Sequence, residues 1–237
     1  MTITSPQNEK LKLVRRLRRR RSREADGPFV GEGEDLLAAA EAAGADPVEL
    51  LTAAGSGLGG TEVEPALLDS VSALGSGTRA IGVWRESWAD EPAGPCVYLH
   101  GVSDPGNVGS VIRTAAALVG GTVAIGPACA DPFGVRAVRA GMGAVFAQPL
   151  IRTEVARTPE PRVALVAHGG EGLDALGGAA TLCLGSEREG VPDDVVVACQ
   201  KSATIPLRAG AESLNVAAAA AIAMHRIWSP AVEQGTG

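Results

Sequence analysis

The sequence lacks a run of about eighteen apolar residues, which is the length a membrane-spanning helix needs, so no transmembrane helix is expected. The basic N-terminus is not followed by an apolar segment, which argues against a secretory signal. The four cysteines, at positions 96, 129, 183 and 199, have no paired spacing. That pattern disfavours a disulfide framework or a zinc site and favours free thiols in a reducing cytosol. We therefore expect a cytoplasmic protein without a bound metal.

Two further absences limit the chemistry. No Gly-x-Gly-x-x-Gly fingerprint follows a predicted strand, which counts against an ordinary dinucleotide-binding fold. The three histidines, His100, His168 and His225, do not cluster with carboxylates at catalytic spacing. With 237 residues, the chain is long enough for one large domain or two small ones.

Positive charge is concentrated at one end of an otherwise acidic chain. Residues 1–23 hold nine basic residues and one acid, Glu9, a net charge of +8 that leaves −14 for the rest of a chain whose total is −6. Seven arginines within nine positions exceed what solubility requires, so we expect phosphate contact rather than a solvated face. The predicted RNA-binding residues are Lys10, Lys12, Arg15, Arg16, Arg18, Arg19, Arg20, Arg21 and Arg23.

This basic segment is predicted to be a helix. Ser5 is the predicted N-cap and Pro6 the first helical residue, and Leu11, Val14 and Leu17 form an apolar stripe. An arginine-rich organelle presequence is the alternative, but a capped helix with an apolar stripe favours a part of the fold.

Strands and helices are expected to alternate along the rest of the chain. The expected strands span residues 27–30, 48–52, 79–84, 97–100, 122–125, 163–167, 182–184 and 204–207, and the expected helices span 36–43, 65–74, 108–118, 132–140 and 216–224. Residues 86–94, with one proline and three acids, predict a linker. The pattern after the linker predicts a mainly parallel sheet covered on both faces, in which ligands bind beyond the carboxyl ends of the strands.

Three ordered motifs lie in the second half. They are Asn-x-Gly-x-x-x-Arg from Asn107 to Arg113, Gly-x-Glu-x-x-Gly from Gly185 to Gly190, and an Ile-Pro segment at Ile205 that leads to Ser-Leu-Asn-Val. Together they resemble the motifs of the SpoU (TrmH) family of RNA ribose 2′-O-methyltransferases, over about residues 97–228. Each motif alone would be weak, whereas three in this order are specific.

The resemblance implies an architecture. It implies an α/β fold in which residues 95–230 form a SPOUT methyltransferase domain with a parallel sheet and a deep trefoil knot. Residues 1–90, with the basic helix, more weakly resemble the ribosomal-protein-L30-like substrate-binding domain of related enzymes. The family also implies S-adenosylmethionine (SAM) as cofactor and a homodimer.

The resemblance also implies roles for single residues. The expected catalytic residues are Asn107, Arg113, Glu187, Ser213 and Asn215. The expected cofactor-binding residues are Gly185, Ser186, Glu187, Gly190, Ile205, Leu207, Leu214 and Asn215. Asn107 and Arg113 lie six positions apart, so both can reach one site only if Asn107 lies in the turn before the helix. Because a guanidinium keeps its proton, we expect Arg113 to bind phosphate and stabilise a developing alkoxide rather than to act as a base.

The favoured function is SAM-dependent 2′-O-methylation of structured RNA, with 23S rRNA ahead of tRNA. A non-catalytic RNA-binding or ribosome-assembly protein of the same fold is a competing hypothesis, which the intact motif residues disfavour. A small-molecule enzyme that uses a nucleotide would fit the sheet but would leave the arginine-rich segment unexplained.

Overall fold

The structure is a computed structural model that describes residues 2–18 and 27–228. The helices are α1 (Glu9–Leu17), α2 (Glu34–Ala42), α3 (Pro65–Val71), α4 (Pro105–Leu118), α5 (Val135–Ala140), α6 (Asp193–Val197) and α7 (Val216–Trp228). The strands are β1 (Pro28–Glu32), β2 (Glu49–Ala53), β3 (Thr61–Val63), β4 (Ala80–Arg85), β5 (Cys96–Leu99), β6 (Thr122–Ile125), β7 (Leu150–Arg152), β8 (Arg162–Leu165), β9 (Thr181–Leu184) and β10 (Lys201–Ala203). Across the described ranges, no helix has the length and apolarity needed to cross a bilayer.

The chain divides into two compact units. The first comprises Met1–Ser87 together with Asp131–Ala147, and the second comprises Trp88–Ala130 together with Gln148–Gly237. Most of the predicted linker belongs to the second unit, where the N–H of Ala89 donates to the carbonyl of Leu150 at 2.7 Å. An acidic segment that contains a proline resembles a linker in composition, but the backbone of this one hydrogen-bonds to distant residues.

The first unit is a four-stranded sheet in the order β1-β4-β2-β3, with β1 and β2 antiparallel to β4 and β3 parallel to β2. The apolar stripe of α1, which comprises Leu11, Val14 and Leu17, is buried in its core together with side chains of α3 and of the sheet. The stripe was predicted from its spacing, and burial explains why these positions are apolar on a basic helix.

The start of α1 differs from the prediction. Asn8 is the N-cap, and its side chain accepts a hydrogen bond from the backbone of Lys10 at 2.9 Å. Ser5 accepts instead from the backbone of Gln7 in a turn before the helix. Serine and asparagine cap helices about equally well, so the local sequence could not choose between them.

The second unit is a six-stranded, all-parallel sheet in the order β10-β8-β9-β5-β6-β7. The predicted parallel α/β sheet is therefore confirmed. One face packs against α4 and α7, and the other carries a buried cluster that includes Cys96, Tyr98 and Val195 of α6. The chain runs outward from β5 to β7 and then continues on the other side of β5, at β8 and β9. The carboxyl ends of the neighbours β5 and β9 therefore flank the point where the strand order reverses, which is where open α/β sheets bind ligands.

The last strand is not where the sequence predicts it. β10 ends at Ala203, and residues 204–207, the expected strand, form no ladder. The backbone of Thr204 still donates to the carbonyl of Glu171 at 2.8 Å, but Pro206 has no N–H with which to continue. The strands β3 and β7, of three residues each, were not predicted because so short a stretch carries no periodicity.

Candidate active site

The first motif opens helix α4. Asp104 is its N-cap and accepts a hydrogen bond from the backbone N–H of Asn107 at 3.0 Å, while Pro105 occupies the first helical position. Asn107 therefore lies in the first turn of the helix. The expectation that the helix starts at Val108, with Asn107 in the preceding turn, is wrong, because proline needs no N–H partner at a helix start.

Arg113 lies on the same helix at an exposed position. Six residues correspond to about 600° of rotation, so its side chain leaves α4 in a direction different from that of Asn107. It is not among the residues that line the two cavities described below. Asn107 and Arg113 of one chain therefore do not reach a single site, since that would require Asn107 to lie in the turn before the helix.

The side chain of Asn107 connects the three motifs. Its amide nitrogen donates to Glu187 Oε1 of the second motif. Its amide oxygen accepts from Asn215 Nδ2 of the third motif at 3.0 Å. Asn215 in turn caps α7, with its Oδ1 accepting from the backbone of Ala217 at 2.9 Å and of Ala218 at 3.3 Å. Because capping requires the oxygen of Asn215 to face α7, its nitrogen is directed towards Asn107. We call Glu187, Asn107 and Asn215 the amide relay.

The second motif is a tight turn after β9. Ser186 and Gly190 exchange backbone hydrogen bonds of 3.0 Å in both directions, and Ser186 Oγ accepts from the backbone of Glu189 at 3.0 Å. A Cβ on Gly185 would overlap the backbone of Gly190, and Gly190 itself has φ +71°, a left-handed conformation that favours glycine. Both glycines of the motif are thus required by backbone geometry, and they hold Glu187 at the exposed tip.

A cavity of about 530 Å³, here called the β9 cavity, lies between this turn, the end of β8 and the segment before α7. It is lined by seven of the predicted cofactor-binding residues: Gly185, Ser186, Glu187, Gly190, Ile205, Leu207 and Leu214. Ser213 also lines it, whereas Asn215, the eighth predicted cofactor residue, does not. Sequence reasoning missed residues 165–168 and Glu212, which also line it. Residues 165–168 lie at the carboxyl end of a parallel strand, and that position could have identified them as ligand-binding residues.

A second cavity of about 560 Å³, here called the His100 cavity, lies at the carboxyl end of β5. Residues 186–190 line both cavities, so the second motif forms their common wall. The other lining residues include His100, Ser103, Asp104 and Asn107. His100 is half-buried, and its Nδ1 lies 3.2 Å from the hydroxyl of Tyr98.

Two titratable groups close to this region are held in their neutral forms. Burial raises the pKa of the Tyr98 hydroxyl, with a further contribution from the charge of Glu154. Burial likewise raises the pKa of the Cys129 thiol, although backbone hydrogen bonds oppose the shift. A thiolate nucleophile at Cys129 is therefore disfavoured, and the polar chemistry of the site falls to amides, carboxylates, hydroxyls and imidazole.

Several predicted RNA-binding side chains are engaged within the protein. Lys10 lies 2.8 Å from both Glu49 Oε1 and Thr61 Oγ1, and Lys12 pairs with Glu9 at 2.8 Å. Arg15 and Arg18 donate to the carbonyls of Pro6 and Val71 at 2.8 and 2.6 Å, and Arg16 is exposed. Arg19, Arg20, Arg21 and Arg23 lie outside the described residues.

Comparisons with known proteins find relatives that match most of this chain. The model of the "SpoU rRNA Methylase family" matches residues 94–225. A 23S rRNA (adenosine(1067)-2′-O)-methyltransferase of Streptomyces laurentii is 30% identical over 214 residues, which cover 84% of this chain and 74% of that protein. An uncharacterized tRNA/rRNA methyltransferase of Mycobacterium bovis is 36% identical over 141 residues, 54% of this chain and 49% of that protein, so this match spans about half of the relative. The crystal structure of an AdoMet-bound rRNA methyltransferase from Sinorhizobium meliloti superposes with a TM-score of 0.83 at 26% identity, covering 95% of this chain and 96% of that one.

Proposed function

This chain belongs to the SpoU rRNA methylase family, and from that premise we propose that it transfers the methyl group of SAM to a ribose 2′-hydroxyl of structured RNA. 23S rRNA is the favoured substrate, because the relative that matches 84% of this chain is named for that activity. tRNA is the alternative, which the name of the Mycobacterium bovis relative leaves open.

The observation that carries this proposal is the amide relay. Glu187, Asn107 and Asn215 come from three motifs far apart in the sequence and meet through two side-chain hydrogen bonds beside a cavity. Fold alone does not imply function, whereas a polar constellation held together at a strand-order reversal is a site. A protein that had kept only the fold would have no reason to keep all three partners.

The β9 cavity fits SAM in size and in chemistry. Its volume of about 530 Å³ lies within the range of small-ligand pockets, about 300–1,000 Å³. Leu184, Ile205, Leu207 and Leu214 offer apolar surface for an adenine ring, while the carboxylates on its lining suit hydroxyls and positive charge. The absence of a side chain at Gly185 lets the backbone of Gly190 pack closely against it, which fixes the turn that lines the cavity.

When bound, SAM would supply a methyl group on a positively charged sulfur: its methyl–sulfur bond would break as the bond to the ribose oxygen forms, a neutral thioether would leave, and the hydroxyl proton would pass to water. The protein must align acceptor and donor, which can lower a barrier by about 7–11 kcal/mol in favourable cases. The amide relay serves this alignment, because Asn107 fixes the carboxylate of Glu187 at the wall between the two cavities. The second carboxylate oxygen of Glu187, Oε2, can accept a hydrogen bond from a ribose hydroxyl.

The family resemblance assigns Arg113 a catalytic role, and its exposed position away from both cavities favours action on a partner's site. A homodimer in which Arg113 of one subunit reaches the acceptor bound by the other would satisfy both observations. The guanidinium would bind a phosphate and stabilise developing negative charge, since it does not lose its proton at working pH.

The first compact unit is proposed to bind RNA. Within it, Arg16 is exposed, and four further arginines follow at positions 19, 20, 21 and 23. Lys10 and Arg18 already have partners within the unit, so they contribute less to phosphate binding than their charge alone suggests.

A transfer assay tests the proposal. Purified protein, methyl-labelled SAM and in vitro-transcribed 23S rRNA should yield label in a 2′-O-methylated nucleoside after digestion, with a transcribed tRNA pool as the second arm. Recovery of label in a methylated base, with the ribose hydroxyls untouched, would overturn the assignment. Mapping 2′-O-methyl sites in total RNA from cells with and without the gene would then identify the nucleotide.

A further inference from the structure

The His100 cavity has no assigned occupant. It shares residues 186–190 with the β9 cavity, so a molecule in one cavity lies across a single turn of backbone from a molecule in the other. Methyl transfer requires the acceptor oxygen within bonding reach of the donor, and the proposed donor site is the β9 cavity. The neighbouring cavity is therefore the place in this chain where an acceptor can approach.

The chemistry of the lining suits a sugar–phosphate group. Arg188 supplies positive charge, and His100 and Ser103 supply hydrogen-bonding groups. Three carboxylates also line the cavity, at Asp104, Glu187 and Glu189, and the first two are each fixed by a hydrogen bond from Asn107, one from its backbone and one from its side chain. Hydroxyls donate to carboxylates, while phosphate oxygens accept from arginine and imidazole N–H groups.

The hydroxyl of Tyr98 faces one nitrogen of the His100 ring. The Tyr98 ring is fully buried in β5, and its hydroxyl lies 3.2 Å from His100 Nδ1. Burial raises the pKa of this hydroxyl, so it keeps its hydrogen and is available to donate it to Nδ1. When Nδ1 of a neutral imidazole accepts, Nε2 carries the hydrogen and can donate.

We propose that the His100 cavity binds the sugar–phosphate of the acceptor nucleotide and that His100, held by Tyr98, donates a hydrogen bond from Nε2 to one of its oxygens. His100 is thus a substrate-binding residue of the proposed methyl transfer, on which this inference rests. The motif comparison gives no role to this position, which lies seven residues before Asn107.

Three substitutions of His100 test whether its side chain donates a hydrogen bond to the RNA or only fills space in the fold. Glutamine can place its amide near the position of Nε2, asparagine reaches only as far as Nδ1, and alanine reaches neither. With transcribed 23S rRNA, and the tRNA pool in parallel, His100→Ala and His100→Asn should raise KM for RNA about 5- to 20-fold, the range expected for one lost hydrogen bond, with kcat less affected. His100→Gln should stay within about threefold of wild type, because it restores the donor.

SAM affinity, measured by calorimetry, is the companion readout. It should be unchanged in all three variants, since His100 does not line the β9 cavity, and unchanged affinity also reports that the second unit is folded. Tyr98→Phe, which keeps the ring and removes the hydroxyl, should raise KM for RNA less than His100→Ala does.

The outcomes distinguish the two proposals. If wild-type protein transfers methyl groups to RNA while His100→Ala keeps the wild-type KM, the role of His100 is wrong and the proposed function stands. The proposed role of His100 is also wrong if His100→Gln and His100→Asn raise the KM for RNA equally and both lower the affinity for SAM. In that case the side chain of His100 supports the fold rather than binding RNA. If wild-type protein transfers nothing to either RNA, the proposed function fails and this inference fails with it.

Discussion

The side-chain nitrogen of Asn215 donates to the side-chain oxygen of Asn107 at 3.0 Å, across 108 residues of sequence. One residue opens α4 and the other caps α7, and the two helices pack against each other on the same face of the sheet. The hydrogen bond thus connects two helix starts, and through Asn107 it extends to the carboxylate of Glu187. The catalytic geometry therefore depends on how these helices begin.

The amide relay should behave as a coupled unit. Asn107→Ala and Asn215→Ala should each lower kcat for methyl transfer, and the double variant should lose less than the product of the two effects, because each single change already breaks the shared hydrogen bond. We expect a coupling energy of about 0.5–3 kcal/mol, the usual range for residues in contact. The measurement is a double-mutant cycle on kcat/KM. Strict additivity would contradict the relay.

Gly185 should tolerate no side chain. Gly185→Ala would drive a Cβ into the backbone of Gly190, and overpacking typically costs about 1–3 kcal/mol of unfolding free energy, so the variant should lose stability and SAM affinity. Gly172→Ala is the matched control in the same unit, since it has a negative φ and a Cβ there would meet nothing within 4 Å. Denaturant unfolding and calorimetry measure both variants, and equal behaviour would refute the argument.

Arg113 should act across a dimer. Arg113→Ala and Asn215→Ala should each have a strongly lowered rate alone, but mixed dimers should regain about a quarter of the wild-type rate, because half of the dimers are mixed and one of their two sites is complete. Arg113→Ala alone should keep SAM affinity within a few-fold of wild type. Mixtures refolded or coexpressed together are assayed for methyl transfer. Absence of any recovery, with mixed dimers demonstrated, would indicate that Arg113 acts within its own subunit.

The N-terminal arginines should determine how RNA affinity depends on salt. Replacing Arg19, Arg20, Arg21 and Arg23 with glutamine keeps polar side chains and removes four charges, so RNA affinity should fall and its logarithmic salt slope should flatten by up to about 3–4. Arg18 is left in place because its guanidinium donates to the carbonyl of Val71. SAM affinity is the folding control, and an unchanged salt slope would assign RNA binding to other residues.

Alkaline pH should weaken the fold through buried thiols. Burial raises the pKa of Cys96 from 9.0 to about 12, so the thiol stays neutral in the folded protein while it ionises in the unfolded chain. Its stabilising contribution is therefore complete below pH 9 and is lost as pH rises towards 12, at about 1.4 kcal/mol per pH unit for one such group. Cys96→Ala should lower stability at neutral pH but show a shallower decline above pH 9. A decline as steep as that of wild type would show that Cys96 does not contribute to it.

Local patterns predicted much of the fold because they report burial and backbone restriction directly. The stripe of Leu11, Val14 and Leu17 was visible as a helical period, and those side chains are buried. Gly185 and Gly190 could be assigned to a turn because few other residues fit one. Helix starts were less predictable, since Ser5 and Asn8 are equivalent as caps and only tertiary contacts select one of them.

The sequence by itself determined the α/β class, the family and the residues of the three motifs, since these depend on residue type and order along the chain. Only the tertiary structure decided which motif residues meet: Asn107 joins Glu187 and Asn215, while Arg113 lies apart on an exposed helix face. Only the structure brought His100 to the same cavity as Glu187, which spacing along the chain had argued against. Parallel strands place residues from distant segments at one sheet edge, and strand order, which no local period encodes, decides which of them become neighbours.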